Sequence, residues 1–128
     1  HIASLRAARQ EGDCLVVGLN SDVSVRLLKG AQRPIVNETG RAEMLAALEF
    51  VDYVVLFDEQ HVTRLVRDVS PDVLVKAASY SQDEVVGHDL VAPGGRVVLV
   101  PFDPQYSTTQ LIAQIQEARP TAAATDRP

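Results

Sequence analysis

Tryptophan is absent from this chain, and phenylalanine and tyrosine together supply only 5% of it. A core built here therefore has to be aliphatic. A single cysteine, Cys14, cannot form an internal disulfide, which excludes the disulfide scaffolds of small secreted domains and fits a reducing cytoplasm. It sits in the apolar run Cys14-Leu-Val-Val-Gly-Leu19, where a buried small hydrophobe is expected rather than a reactive thiol. No apolar stretch approaches the length of a membrane span, and no signal peptide is evident. His1, His61 and His88 are dispersed without metal-ligand spacing, so no protein-held metal site is expected. The nucleophile elbow Gly-x-Ser-x-Gly, the Walker loop and Gly-x-Gly-x-x-Gly are all missing. Positive charge is in the minority, with 12 Lys and Arg against 17 Asp and Glu for a net charge of -5. Such a surface repels phosphate backbones, which argues against broad nucleic-acid binding.

What is present is a chain of 128 residues, 46% hydrophobic and 23% charged, the size and composition of one globular domain. It opens at His1 rather than Met, so we expect a piece of a longer polypeptide. Apolar periodicity alternates between helix and strand along its length. Ile2, Leu5 and Ala8 share a helical face that ends at Gly12-Asp13. Cys14 to Leu19 reads as a strand covered on both faces. Ser21-Asp22 caps a helix carrying Val25 and Leu28 and stopping at Gly30. A loop with Arg33-Pro34 leads to a helix from Arg41 to Glu49 with Met44, Leu45 and Leu48 inward. Asp52 to Phe57, Val73 to Val75 and Arg96 to Val100 read as further strands. A helix carrying Val62, Leu65, Val66 and Val69 lies between the first two of them, and the capping-box spacing Ser81-Gln-Asp-Glu84 starts a short turn. A last helix follows Ser107-Thr108-Thr109 with Leu111, Ile112 and Ile115. The domain is expected over residues 1–117, with a disordered tail over 118–128.

This alternation predicts an α/β fold, a Rossmann-like parallel sheet with helices on both faces. Right-handed crossovers then gather the carboxyl ends of the strands on one rim, where open α/β sheets bind ligands. Asn20 to Asp22, Asp58, Lys76 to Tyr80 and Asp103 to Thr109 fall on that rim. Two groups there suit phosphate. Arg26, Lys29, Arg33 and Arg41 share a segment whose only acid is Glu38, a local reversal of the net charge. Ser107, Thr108 and Thr109 bring three hydroxyls to the start of a helix, where free backbone N–H groups favour anions. The plainer readings are a dipole-stabilising Lys29 and an ordinary N-cap. Lys76, after a buried strand, must reach solvent or pair with Asp52, Asp58 or Asp103.

The string Gly12-Asp-Cys-Leu-Val-Val-Gly-Leu-Asn-Ser-Asp-Val-Ser-Val-Arg-Leu-Leu-Lys-Gly30 resembles the heptose 1-phosphate adenylyltransferase domain, of the nucleotidyltransferase superfamily with the His-x-Gly-His motif. The similarity continues through Arg33-Pro34, Arg41-Ala-Glu-Met-Leu-Ala-Ala-Leu48, Pro71-Asp-Val-Leu-Val-Lys76, Gly94-Gly95 and Ser107-Thr-Thr109. The resemblance implies that a sugar 1-phosphate oxygen attacks the α-phosphorus of ATP, releasing pyrophosphate and forming an ADP-sugar, with Mg²⁺ accompanying the triphosphate. On this reading His1 is the second histidine of the motif and, with Lys29, serves catalysis. Asn20, Arg41, Ser107, Thr108 and Thr109 hold nucleotide and phosphate, and Lys76 lines the substrate pocket. The family's opening strand, central in its sheet, and its first motif histidine have no counterpart in the sequence, so the two neighbours of that strand should be left unpaired. Where the family has Lys-Gly-Gly-Asp-Tyr, this chain has Lys76-Ala-Ala-Ser-Tyr80, which replaces two permissive glycines and a carboxylate. A homodimer, and a sugar kinase fused to or working beside the domain, are further expectations. A cytidylyltransferase for a small alcohol phosphate, a catalytically inactive nucleotide-binding module and a flavodoxin-like domain without a nucleotide site are the alternatives.

Overall fold

The computed structural model describes residues 1–77, 81–101 and 107–118. Its elements run α1 (Ile2–Arg9), β1 (Val16–Asn20), α2 (Asp22–Lys29), α3 (Glu38–Ala46), β2 (Tyr53–Phe57), α4 (Thr63–Val69) and β3 (Val73–Ala77). Two 3-10 turns, Gln82–Glu84 and His88–Leu90, then β4 (Arg96–Val100) and α5 (Thr108–Glu117) complete it.

Parallel pairing is satisfied twice. β1 runs beside β2 in register Val16↔Tyr53 to Asn20↔Phe57, and β3 beside β4 in register Val73↔Arg96 to Ala77↔Val100. Among the described residues no strand joins the two pairs. The mixed α/β architecture with parallel strands is therefore as expected, and its described strands fall into two separate pairs. Helix α1 and the turn after it tie the pairs together instead. Ser4 Oγ donates to the Pro101 carbonyl and Arg96 Nη2 meets Glu11 Oε2 at 2.8 Å on one side, while Arg9 faces Asp52 at 3.6 Å on the other.

Helix boundaries follow the local chemistry. Ser21 and Asn37 cap α2 and α3 by accepting from Ser24 N and Gly40 N. Gly30 ends α2 with φ 90°, a conformation that favours a residue without a side chain. Gly18, in the middle of β1, sits under α4: an added Cβ would lie 2.8 Å from Leu65 Cδ2. The hydroxyl-bearing segment 107–109 starts α5 as expected, with Ser107 Oγ accepting from Gln110 N at 3.1 Å.

Packing departs from the sequence reading. Among the described residues the buried hydrophobics are Ala8, Val66, Val85 and Val100. Met44 and Leu28, expected inward, are 57% and 47% exposed, and Val69, Leu111 and Ile115 are exposed as well. Periodicity finds the apolar face of a helix, but it cannot say whether a layer exists to cover that face. Cys14 is also exposed rather than buried, because β1 begins only at Val16. Gly18 is exposed and the rest of β1 only half-buried, so that strand is not fully covered on both faces.

Candidate functional site

The carboxyl end of β1 leads directly into α2, and this junction is the most tightly organised polar region among the described residues. Ser24 is fully buried at 0% exposure and Ser21 nearly so at 4%. Ser24 N donates to Ser21 Oγ at 3.2 Å, Ser24 Oγ donates to the Glu59 carbonyl at 2.7 Å, and Asn20 Nδ2 donates to Ser24 Oγ at 2.9 Å. Asn20, a predicted site residue, is thus half-buried on the rim and held from below. No buried side-chain nitrogen or oxygen among the described residues lacks a partner.

Arg41 reaches back from α3 to the same junction. Its Nη2 donates to Asp22 Oδ1 at 2.8 Å and its Nε to the Val36 carbonyl at 3.1 Å. Beside it, Glu38 Oε2 accepts from Asp22 N at 2.7 Å. A carboxylate therefore already occupies the positive end of α2. An incoming phosphate would have to displace it, and Arg41 in this arrangement is a clamp between α2 and α3.

The start of α5 is different. Thr108 and Thr109 are exposed, and the first backbone N–H groups of a helix have no partner within it. Arg33 Nη2 donates to Thr109 Oγ1 at 3.2 Å across 76 positions of sequence. The fold thereby joins the basic segment to the hydroxyl trio through Arg33. Sequence reasoning placed Arg33 in the basic segment but favoured Lys29. Lys29 is exposed in the last turn of α2 and makes no hydrogen bond or ion pair among the described residues. His1 is exposed at the start of α1, where its carbonyl accepts from Leu5 N at 2.9 Å. Lys76 lies within β3, at an exposed position of the strand. Ala78, Ser79, Tyr80 and Asp103 lie outside the described residues, as does the expected tail beyond Ala118.

Two shallow hollows, of about 390 and 270 Å³, lie elsewhere. The first, between α3 and β2, is bordered by Glu43 and Asp52; the second, at the end of β2, by Asp58, Glu59, Asp68 and Arg64, which pairs with Glu59 and Asp68. The first hollow has no cation in its described lining and the second has three acids against one arginine, so neither favours a polyanion. Among the described residues no three His, Cys, Asp or Glu side chains gather to hold a metal ion, and no helix is long and apolar enough to cross a membrane.

Residues 1–114 match the family described as cytidylyltransferase-like. The chain is 51% identical over 120 residues to the bifunctional protein HldE of Rhodopseudomonas palustris strain BisA53, covering 93% of this chain and 24% of that protein. It is 52% identical over 117 residues to the bifunctional protein HldE of Geotalea uraniireducens strain Rf4, with 91% of this chain and 24% of that protein covered. The chain thus spans about a quarter of the length of these relatives. A solved structure, described as the lipopolysaccharide core biosynthesis protein of Thermoplasma volcanium GSS1, superposes with a TM-score of 0.61 at 25% identity, covering 80% of this chain and 86% of that one.

Proposed function

The chain belongs to the cytidylyltransferase-like family, a nucleotidyltransferase fold, and from that premise we propose that it transfers AMP from ATP to a heptose 1-phosphate, giving an ADP-sugar and pyrophosphate. A phosphate oxygen of the sugar attacks the α-phosphorus, the bond to the bridging oxygen breaks, and pyrophosphate leaves with its electron pair. Nothing covalent is asked of the protein in such a step, which depends on positioning and on neutralising charge. The observation that carries this reading is the hydrogen bond from Arg33 to Thr109, which sets a guanidinium beside the start of α5, the end of a helix that favours anions. The resemblance to heptose 1-phosphate adenylyltransferase domains supports the heptose substrate, and 51% identity to a quarter of a protein named as bifunctional supports a second activity beside this one.

In this reading Ser107 orders the start of α5, and Thr108, Thr109 and Arg33 receive the β- and γ-phosphates. Lys29 and His1 add positive charge or hydrogen-bond donors to the reacting phosphates, Arg41 supports them, and Asn20 and Lys76 line the nucleotide and sugar pocket. Mg²⁺ would arrive on the triphosphate, held largely by phosphate oxygens and water, as this small hard cation prefers. Because the described residues gather no acidic or imidazole cluster of their own, no step is assigned to a protein-held metal. When bound, the ion would neutralise charge on the leaving pyrophosphate.

A second reading, transfer of CMP from CTP, is favoured by the family to which residues 1–114 belong. One assay separates the two: pyrophosphate release by the full chain with heptose 1-phosphate and Mg²⁺, with ATP and CTP in parallel. Release with ATP, and little with CTP, is expected. The reverse preference selects the cytidylyl reading. Nucleotide binding by calorimetry without pyrophosphate release from any sugar or alcohol phosphate marks a binding module and overturns both.

A further inference from the structure

The polar junction below Asn20 contains more information than its distances. Ser24 has one hydroxyl proton, and the Glu59 carbonyl, which can only accept, takes it at 2.7 Å. The Ser24 oxygen can then meet the Asn20 side chain, 2.9 Å away, only as an acceptor. The Asn20 amide is thereby held in one of its two orientations, with Nδ2 toward Ser24 and Oδ1 turned away from it. A rotated amide would set two acceptors against each other in a place where Ser24 has no exposure to water at all. Helix geometry makes the arrangement rigid, since Ser24 N is itself bonded to the Ser21 cap. Asn20 is the last residue of β1, and the next residue closes on β2 through Ser21 N and the Phe57 carbonyl at 2.9 Å. No hydrogen bond to Asn20 Oδ1 forms among the described residues.

We propose that Ser24 is a positioning residue that fixes the polarity of the Asn20 amide, so that Oδ1 accepts a hydrogen bond from an O–H or N–H group of a substrate bound at the rim. The ligand chemistry is a hydroxyl or amine donor, supplied either by the nucleoside or by the sugar. The assignment rests on the nucleotidyl-transfer reading above for its substrate. Its hydrogen-bond polarity rests on the Glu59–Ser24–Asn20 chain alone. The same logic makes Asn20→Asp disruptive despite its matched shape, because a carboxylate would place an acceptor against the Ser24 oxygen.

The test has a structural arm and a kinetic arm, both on the full chain. In the ligand-free protein, the Asn20 side-chain NH₂ should give a resolved, exchange-protected pair of nitrogen-15 NMR signals. Ser24→Ala should abolish that protection, whereas Ser24→Cys, close in size and still carrying a hydrogen, should restore part of it. Thermal melting of each variant confirms that it is folded. In the kinetic arm, Ser24→Ala should raise KM for one substrate roughly three- to tenfold, the worth of one hydrogen bond, and lower kcat less. A rise confined to ATP identifies a nucleoside donor, and one confined to the sugar phosphate identifies a sugar donor. Unprotected Asn20 signals in the wild type, or NMR signals and both KM values unmoved by Ser24→Ala, overturn the proposal. If the protected signals are present in a chain that binds neither substrate, the nucleotidyl-transfer reading and the acceptor role both fall, and only the amide polarity survives.

Discussion

Two arginines from one basic segment have acquired different tasks. Arg33 is bonded to an exposed hydroxyl on α5, whereas Arg41 is half-buried between Asp22 and the Val36 carbonyl. Their removal should therefore read out differently. Arg33→Ala should leave the denaturation midpoint nearly unchanged and raise KM for the nucleotide about tenfold or more, since hydrogen bonds to charged groups contribute roughly 1.5–3 kcal/mol. Arg41→Ala should lower stability by about 1–2 kcal/mol, because it leaves the partly buried Asp22 carboxylate without its cation. Urea titrations and initial-rate kinetics on the two variants check both outcomes. Equal loss of stability in the two would contradict the division of roles.

At the scale of elements, local signals were reliable at several short-range hydrogen bonds, although the Asn37 cap went unread and α3, expected from Arg41, begins at Glu38. The Ser81–Glu84 capping box is one such case, since both reciprocal bonds form around the 3-10 turn Gln82–Glu84. Hydrogen bonds from the Ser81 backbone and then the Ser81 hydroxyl hold the Glu84 carboxyl below its ordinary value of 4.5. A carboxyl depressed in the folded state contributes its stabilisation above the ordinary value and loses it as the pH falls through the lowered one. The Ser81 amide resonance should therefore follow an acid step whose midpoint lies below 4.5. In Glu84→Gln that acid step should vanish from the NMR titration, and its persistence would assign it to another group. The start of α5 was legible for the same reason, as was the Gly30 stop of α2. The strand β1 was placed two residues early, because an apolar run carries no sign of where pairing begins.

For the whole molecule, the decisive feature is the division into two parallel pairs with a thin buried core. Val23, Leu27, Leu28, Ile35, Met44 and Leu111 are among the large apolar side chains left exposed. Exposed apolar side chains, where they lie together on the surface, bind hydrophobic dyes. The full chain should enhance the fluorescence of ANS at neutral pH without denaturant. A folded protein that leaves the dye dark would mean that these side chains are covered in solution. Burial was the least legible property in the sequence, for burial belongs to the neighbours of a helix and not to the helix. Met44 has the spacing of a core residue and still faces water.

The sequence by itself determined the order of helices and strands, the starts at Ser21, Ser81 and Ser107, the parallel α/β class and the family, through capping hydroxyls, apolar periods and a long run of matched residues. These depend on bonds and side chains a few positions apart, or on strings read directly. Tertiary structure alone decided which cation meets the hydroxyls of α5, how the Asn20 amide is turned and which apolar faces remain open. Those outcomes join residues as distant as Arg33 and Thr109. Contacts of that range are set by how layers close in space, and no local period or cap encodes them.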